Sequence, residues 1–200
     1  MASVTAFIER RLRLKVNVAK SAVARPEERH VLGFRLRREP LDGHVEVLLS
    51  TRSKERIDAK VRELTPRNWG ASLDACISGV NAYVRGWMGF FGICGPQVEQ
   101  SLGGVDAHIR RRLRAIQLRH WKCKRTMARR LIQMGIRATT AWRTVYTGHR
   151  SLWALSHTAA VDRALRNGHW TARGLLSLRE LWRSSPHRVV VPVQLTLTLG

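Results

Sequence analysis

From Val105 to Arg150 the chain carries thirteen Lys or Arg residues against a single acid, Asp106. No other feature restricts the possible folds more, because these charges are interleaved with apolar residues instead of being gathered in a tail. Ile109, Leu113 and Ile116 recur at helical spacing, and Trp121, Met127, Leu131 and Met134 follow them. A disordered basic arm would be charge without a core. The pattern calls for helices with apolar stripes inside and a cationic exterior, and a folded surface this positive attracts a polyanion.

Composition sharpens that reading. The chain has 200 residues, a net charge of +22 and a pI near 11.7, yet 44% of it is hydrophobic. That is a globular share, enough for one ordinary domain or two small ones. Of the 36 basic residues 30 are Arg. Arg forks two hydrogen bonds to phosphate and stacks on bases, whereas Lys acts as a point charge. The bias fits RNA or DNA, although GC-rich coding enriches Arg as well. Cys76, Cys94 and Cys123 are odd in number and widely spaced, so they read as reduced and structural, with no zinc site. No apolar run approaches the roughly 18 residues of a membrane span, and no secretory signal opens the chain. A cytoplasmic, bacterial-type location is expected, with an organelle as the alternative.

Residues 3–14 read as a short amphipathic helix, and Val16 and Val18 alternate against Lys15 and Asn17 as in a strand. Residues 30–49 read as a β-hairpin, with Pro40 and Asp42-Gly43 as turn signals. The period then becomes helical. Ser53 is the candidate cap of a helix ended by Thr65-Pro66, and Ser72 of the clearest helix, whose apolar positions run from Leu73 to Phe91. A third helix is expected from about Val105 to about Lys124, after Gly103-Gly104, with Asp106 in its first turn where the dipole favours an anion. Shorter helices should follow to residue 183, broken at Gly135, Gly148, Gly168 and Gly174. The tail from Ser184 is apolar and almost uncharged.

The strongest functional candidates are Arg110, Arg111, Arg112, Arg114, Arg119, His120, Lys122, Lys124 and Arg125. On a helix they surround all but the stripe of Ile109, Leu113 and Ile116. A solvated face explains them poorly, because balancing acids are missing and like charges at this spacing repel. Within NAYVRGWMGFF, Gly86 costs roughly 1 kcal/mol against alanine in a helix and suggests close packing of another element. Trp87 reads first as a core anchor and second as a base-stacking platform. Arg85 is either solvated or meets phosphate. No Walker loop, HExxH or GxSxG appears, no two Asp are adjacent, and the His are dispersed, so the residues assemble no active site.

Four or five segments in order, RLRLKVNVAKSAV, HVLGFRLRRE, VNAYVRGWMGFF, VDAHIRRRLRAIQLRHWKCKRT and SLWALSHTAAVDRALRNGHWTARGLLSLRELW, resemble the C-terminal portion of group II intron-encoded reverse transcriptase/maturases. The resemblance covers roughly residues 3–183. It implies a mainly α fold: a short α/β palm remnant with a hairpin over 1–50, then a thumb or maturase-specific bundle of about three long helices over 51–125. A helical extension over 126–183 and a tail over 184–200 of unassigned structure complete the division. It places Lys15, Asn17 and Lys20 just after the polymerase active-site strand, and Leu32, Gly33 and Phe34 at a turn that supports the primer end. Residues 53–124 match helices that grip intron RNA and template–primer duplex, and Arg85, Gly86 and Trp87 match the signature of the second.

The departures matter equally. The family's Tyr-x-Asp-Asp turn would precede Met1, and no Asp-Asp pair occurs here. Two Mg²⁺ ions need carboxylates fixed together for phosphoryl transfer. The expectation is a truncated member, inactive alone as an RNA-directed DNA polymerase. It would need no cofactor of its own, since Mg²⁺ would serve only a complete polymerase or the intron RNA. The expected function is RNA binding that assists intron folding and splicing, with intron RNA as partner. The alternative is the C-terminal piece of a reverse transcriptase completed by a separate fingers/palm polypeptide and engaging template–primer duplex. No membrane partner is expected.

Overall fold

The computed structural model describes residues 2–17, 21, 25, 28, 30–38, 45–66, 70, 72–147 and 151–185. Lys20, Asp42-Gly43, Gly148 and the tail beyond Ser185 lie outside them. The expected mainly helical chain with a small N-terminal sheet is what is found.

Helix α1 spans Ala2–Arg11 and buries none of its residues. The strand expected around Val16 does not form over residues 13–17, which have no regular structure, and its remainder lies outside the described residues. The hairpin region holds three antiparallel strands, β1 (His30–Val31), β2 (Phe34–Arg38) and β3 (Val45–Leu49), in the order β1-β2-β3. The chain turns at Leu32 and Gly33, with φ of 52° and 88°, which adds a short third strand to the expected hairpin. Two left-handed residues in a two-residue loop match the right-handed twist of the flanking strands. Gly33 is doubly constrained there, since a Cβ would sit 2.6 Å from the Ser53 hydroxyl oxygen.

Helix α2 spans Thr51–Leu64, α3 Leu73–Phe91 and α4 Val98–His120. Ser50, rather than Ser53, caps α2: its hydroxyl accepts from the Ser53 amide at 3.2 Å. The Ser53 hydroxyl instead donates to the Gly33 carbonyl at 2.8 Å and pins the β1–β2 turn to α2. Ser72 caps α3 as read, and Leu73, Cys76, Ile77, Val80, Val84, Trp87 and Met88 are buried along it. Gly86 meets nothing within 4 Å, so the close packing expected there is absent. Trp87 stacks on Phe91 with ring centroids 4.5 Å apart, and Phe91 in turn meets Phe34 of β2.

Helix α4 begins seven residues before the expected Val105 and runs through Gly103-Gly104. Burial of Val98 and Leu102 offsets the helical cost of these glycines. Gly103 lets a later segment approach: a Cβ there would lie 3.0 Å from the Arg179 guanidinium. The helix ends at His120, and Lys122 turns the chain with φ 60°.

Among the described residues six shorter helices follow: α5 (Lys124–Gln133), α6 (Ala138–Tyr146), α7 (Leu152–Leu155), α8 (Ala159–Ala164), α9 (Asn167–Ala172) and α10 (Leu178–Ser184). Gly135 and Gly174 break the chain as read, each at positive φ, whereas Gly168 lies inside α9. Leu49, Ile57, Val84, Leu113, Leu131, Trp170 and Trp182 all belong to one hydrophobic cluster. Cys76 and Cys94 are buried as expected, but Cys123 is exposed.

Three charged side chains of α4 fix its neighbours. Asp106 accepts from the Ser177 hydroxyl (2.7 Å) and from the Leu178 (2.8 Å) and Arg179 (3.2 Å) amides, an anion at the start of α10. Arg112 donates to the carbonyls of Thr65 (2.7 Å) and Arg62 (3.2 Å) at the end of α2, and to the Thr65 hydroxyl. Arg114 donates to the Leu165 carbonyl (3.3 Å), the cap of α8, and pairs with Asp162. Each charge sits at a helix end of opposite partial charge and fills hydrogen bonds that the helix leaves unmade. Asp106 is thus in the middle of α4 and serves α10, not the first turn of its own helix.

Candidate nucleic-acid interface

The stripe of Ile109, Leu113 and Ile116 turns one side of α4 into the core, and the α7 segment lies along another side. Along α4 and α7 lie three cavities that share lining residues and together make up a trough. One, of about 620 Å³, is lined by Gly70, Arg119, His120, Lys122 and Leu152. The next, of about 470 Å³, shares Arg119 and Leu152 and adds Pro66, Arg112, Ala115, Ser151 and Trp153. A third, of about 580 Å³, shares Trp153 and continues along Arg110, Arg111, Arg114 and His157. Trp153 therefore lines both of the last two, with the Arg111 guanidinium 4.0 Å from its ring centroid. That stacking holds a cation at the trough while leaving its hydrogen-bonding edge directed elsewhere.

Not every residue read from the sequence reaches this trough as a free cation. Arg112 and Arg114 are only 9% and 7% exposed and are engaged at the ends of α2 and α8. They depart from the reading in which all of these cations face an RNA partner: their partners are carbonyls about fifty residues away along the chain, together with Asp162 for Arg114. Trp87 is buried among core aromatics and cannot receive a base in this conformation, so the core-anchor reading holds. Arg85 is exposed on α3 and is not among the residues that line the trough. Arg110 and Arg111 are half-buried at one end, and Arg119, His120 and Lys122 are exposed at the other. Lys124 and Arg125 open α5, with the Lys124 ammonium 5.5 Å from the Tyr146 ring centroid. Lys15 is exposed in the irregular segment after α1; Leu32 is exposed at the β1–β2 turn, while Gly33 and Phe34 are half-buried.

The electrostatics of the trough are one-sided. Between Asp106 and Asp162 the sequence contains no acid at all. Asp162 lines one end but is committed to Arg114. Burial, opposed by Asp162, lowers the pKa of Arg114 from its ordinary value. At His108, burial is the first cause of a lowered pKa; Arg112, Arg62 and Arg111 push the same way, against Asp58. His108 Nε2 and Arg111 Nε are buried without a hydrogen-bond partner among the described residues.

The arrangement can hold a chain of phosphates along Arg110, Arg119, His120 and Lys122, with an indole and small cavities among the charges for sugar or base edges. Among the described residues no group of three His, Cys, Asp or Glu side chains is placed to hold a metal ion. Among them, too, no helix is long and apolar enough to cross a membrane. Sequence reasoning missed Leu152 and Trp153, which reach the trough from an element thirty residues beyond α4. The available signal was an aromatic residue inside the acid-free stretch.

Residues 54–134 match the family model of the group II intron maturase-specific domain, which takes in α2 to α5 and all of the α4 face of the trough. No curated protein matches the chain. Over those residues the chain is similar to the group II intron maturase-specific domain.

Proposed function

We propose that the protein binds structured group II intron RNA along the α4–α7 trough and, by holding it, assists the folding and splicing of the intron. The RNA supplies the chemistry. The observation that carries this reading is the trough itself: exposed Arg119, His120 and Lys122 at one end, Arg110 and Arg111 at the other, and Trp153 between them. Phosphate contacts by such side chains give affinity that falls steeply with salt, while the indole and the small cavities suit the splayed bases of a folded RNA better than a uniform duplex. The test is titration of a group II intron RNA with the intact chain and with R110A/R119A/K122A. The variant should lose binding by more than tenfold at moderate salt and keep its thermal midpoint. Undiminished binding would remove the trough from the account.

A second reading draws on the sheet. The β1–β2 turn is held rigidly, with its Gly33 carbonyl accepting from the Ser53 hydroxyl and the Ser50 amide. It presents exposed Val31 and Leu32 beside the exposed Phe90. A pure RNA binder has no evident use for such a turn, whereas an RNA-directed DNA polymerase assembled with a separate fingers/palm polypeptide would have one at the template–primer duplex. Primer extension upon mixing the two polypeptides, lost in a Leu32→Asp variant, would support that reading. No extension from a folded mixture would end it.

A further inference from the structure

Helix α6 buries Ala141 and Val145 against α5 and α8, and this choice of face leaves the residue after each of them on the flank. Those residues are Trp142 and Tyr146, 38% and 52% exposed. They sit one helical turn apart with ring centroids 5.6 Å apart and planes inclined by 36°. A tryptophan left this open is uncommon in a folded chain. Its surroundings are cationic. The Lys124 ammonium lies 5.5 Å from the Tyr146 ring centroid, and Arg125, Arg129 and Arg143 are exposed on the same two helices. Both helices lie within the stretch of sequence that has no acid.

We propose that Trp142 and Tyr146, with Lys124, form a second nucleic-acid contact that stacks unpaired bases of a single RNA strand leaving the trough. The inference rests on the RNA-binding reading and extends it to residues outside the matched domain, which ends at residue 134. Flat rings among cations fit a strand whose bases offer π-faces and whose phosphates offer charge, whatever its sequence. The pair lies beyond the trough's end along the chain: Lys122 lines that end, Lys124 begins α5 two residues later, and the Lys124 ammonium faces Tyr146. A duplex keeps its bases stacked inside and offers these rings nothing but backbone.

The experiment compares two RNAs that share one hairpin, one blunt and one with a ten-nucleotide 3′ single-stranded extension. Binding of the full chain is measured by fluorescence anisotropy, alongside W142A/Y146A and W142F/Y146F. The double alanine variant should lose about tenfold for the extended hairpin and nothing for the blunt one, since base–aromatic stacking of this kind is worth about 1–3 kcal/mol per base. The phenylalanine pair should retain most of the difference. On the unaltered protein, 4-thiouridine placed in the extension should crosslink to residues 138–147. Equal binding of wild type and W142A/Y146A to the extended hairpin, or crosslinks only elsewhere, would overturn the proposal while leaving the trough in place. Loss of self-association in W142A/Y146A with unchanged RNA binding would mark the pair as a protein contact and overturn it too. Failure of the wild type to bind either RNA would sink the trough reading first.

Discussion

Two stretches of α4 carry the same residue type to opposite ends. In its middle, Arg112 and Arg114 turn inward and serve the ends of α2 and α8. In its last turn, Arg119 stays exposed beside His120, with Lys122 just beyond. The difference is made by what faces each position. Where a neighbouring helix ends, its unpaired carbonyls and the negative end of its dipole take up an arginine. Where the neighbour is an open trough, the cation is left for an outside anion. A run of arginines is therefore partly scaffold and, in the function proposed above, partly site, and spacing within the run does not separate the two.

The comparison is broken most severely at the buried acid of the same helix. Asp106→Ala removes three hydrogen bonds and the anion at the start of α10. Urea unfolding should show a loss of about 3–4 kcal/mol, and Asp106→Asn a smaller one, because hydrogen bonds to a buried charge are worth about 1.5–3 kcal/mol each before compensation. Next comes Arg112→Met, expected to cost about 2 kcal/mol by leaving the α2 carbonyls unpaired. Its RNA affinity, measured on folded protein, should stay within about twofold of wild type. A large affinity loss with intact stability would mean that Arg112 belongs with the exposed group.

R119A/K122A sharpens the other side. It should weaken RNA binding by about tenfold, lower the salt slope by about 1.5 for two lost phosphate contacts, and leave the thermal midpoint unchanged. A stability loss comparable to that of Arg112→Met would erase the distinction. The smallest effect concerns His108, whose folded pKa is lowered chiefly by burial. The unfolded chain then binds the proton more readily, so stability contributed by neutral His108 is present above the unfolded pKa near 6.5 and declines as pH falls through it. His108→Gln should flatten the thermal midpoint between pH 7 and pH 5.5 relative to wild type.

Much of the helical frame was legible because it is local. The three-and-four spacing from Leu73 to Phe91 and the Ser72 cap predict α3 closely, and Thr65-Pro66 ends α2 as read. The start of α4 was not legible, since two glycines argue against a helix that tertiary burial of Val98 and Leu102 restores. Nor was the division of the arginines. The carbonyls that claim Arg112 lie about 50 residues upstream and the one that claims Arg114 lies 51 residues downstream. The cationic character of the site was visible from composition alone. Its shape depends on Trp153, brought to α4 by packing that no local pattern encodes.

The central claim is that the exposed cations of the trough read a folded RNA and not merely negative charge. The most direct measurement is binding of the intact chain to a structured group II intron RNA and to a double-stranded RNA of equal length across a salt series. Preference for the intron RNA that persists at moderate salt is the predicted result. Equal binding to both, vanishing together as salt rises, would contradict it.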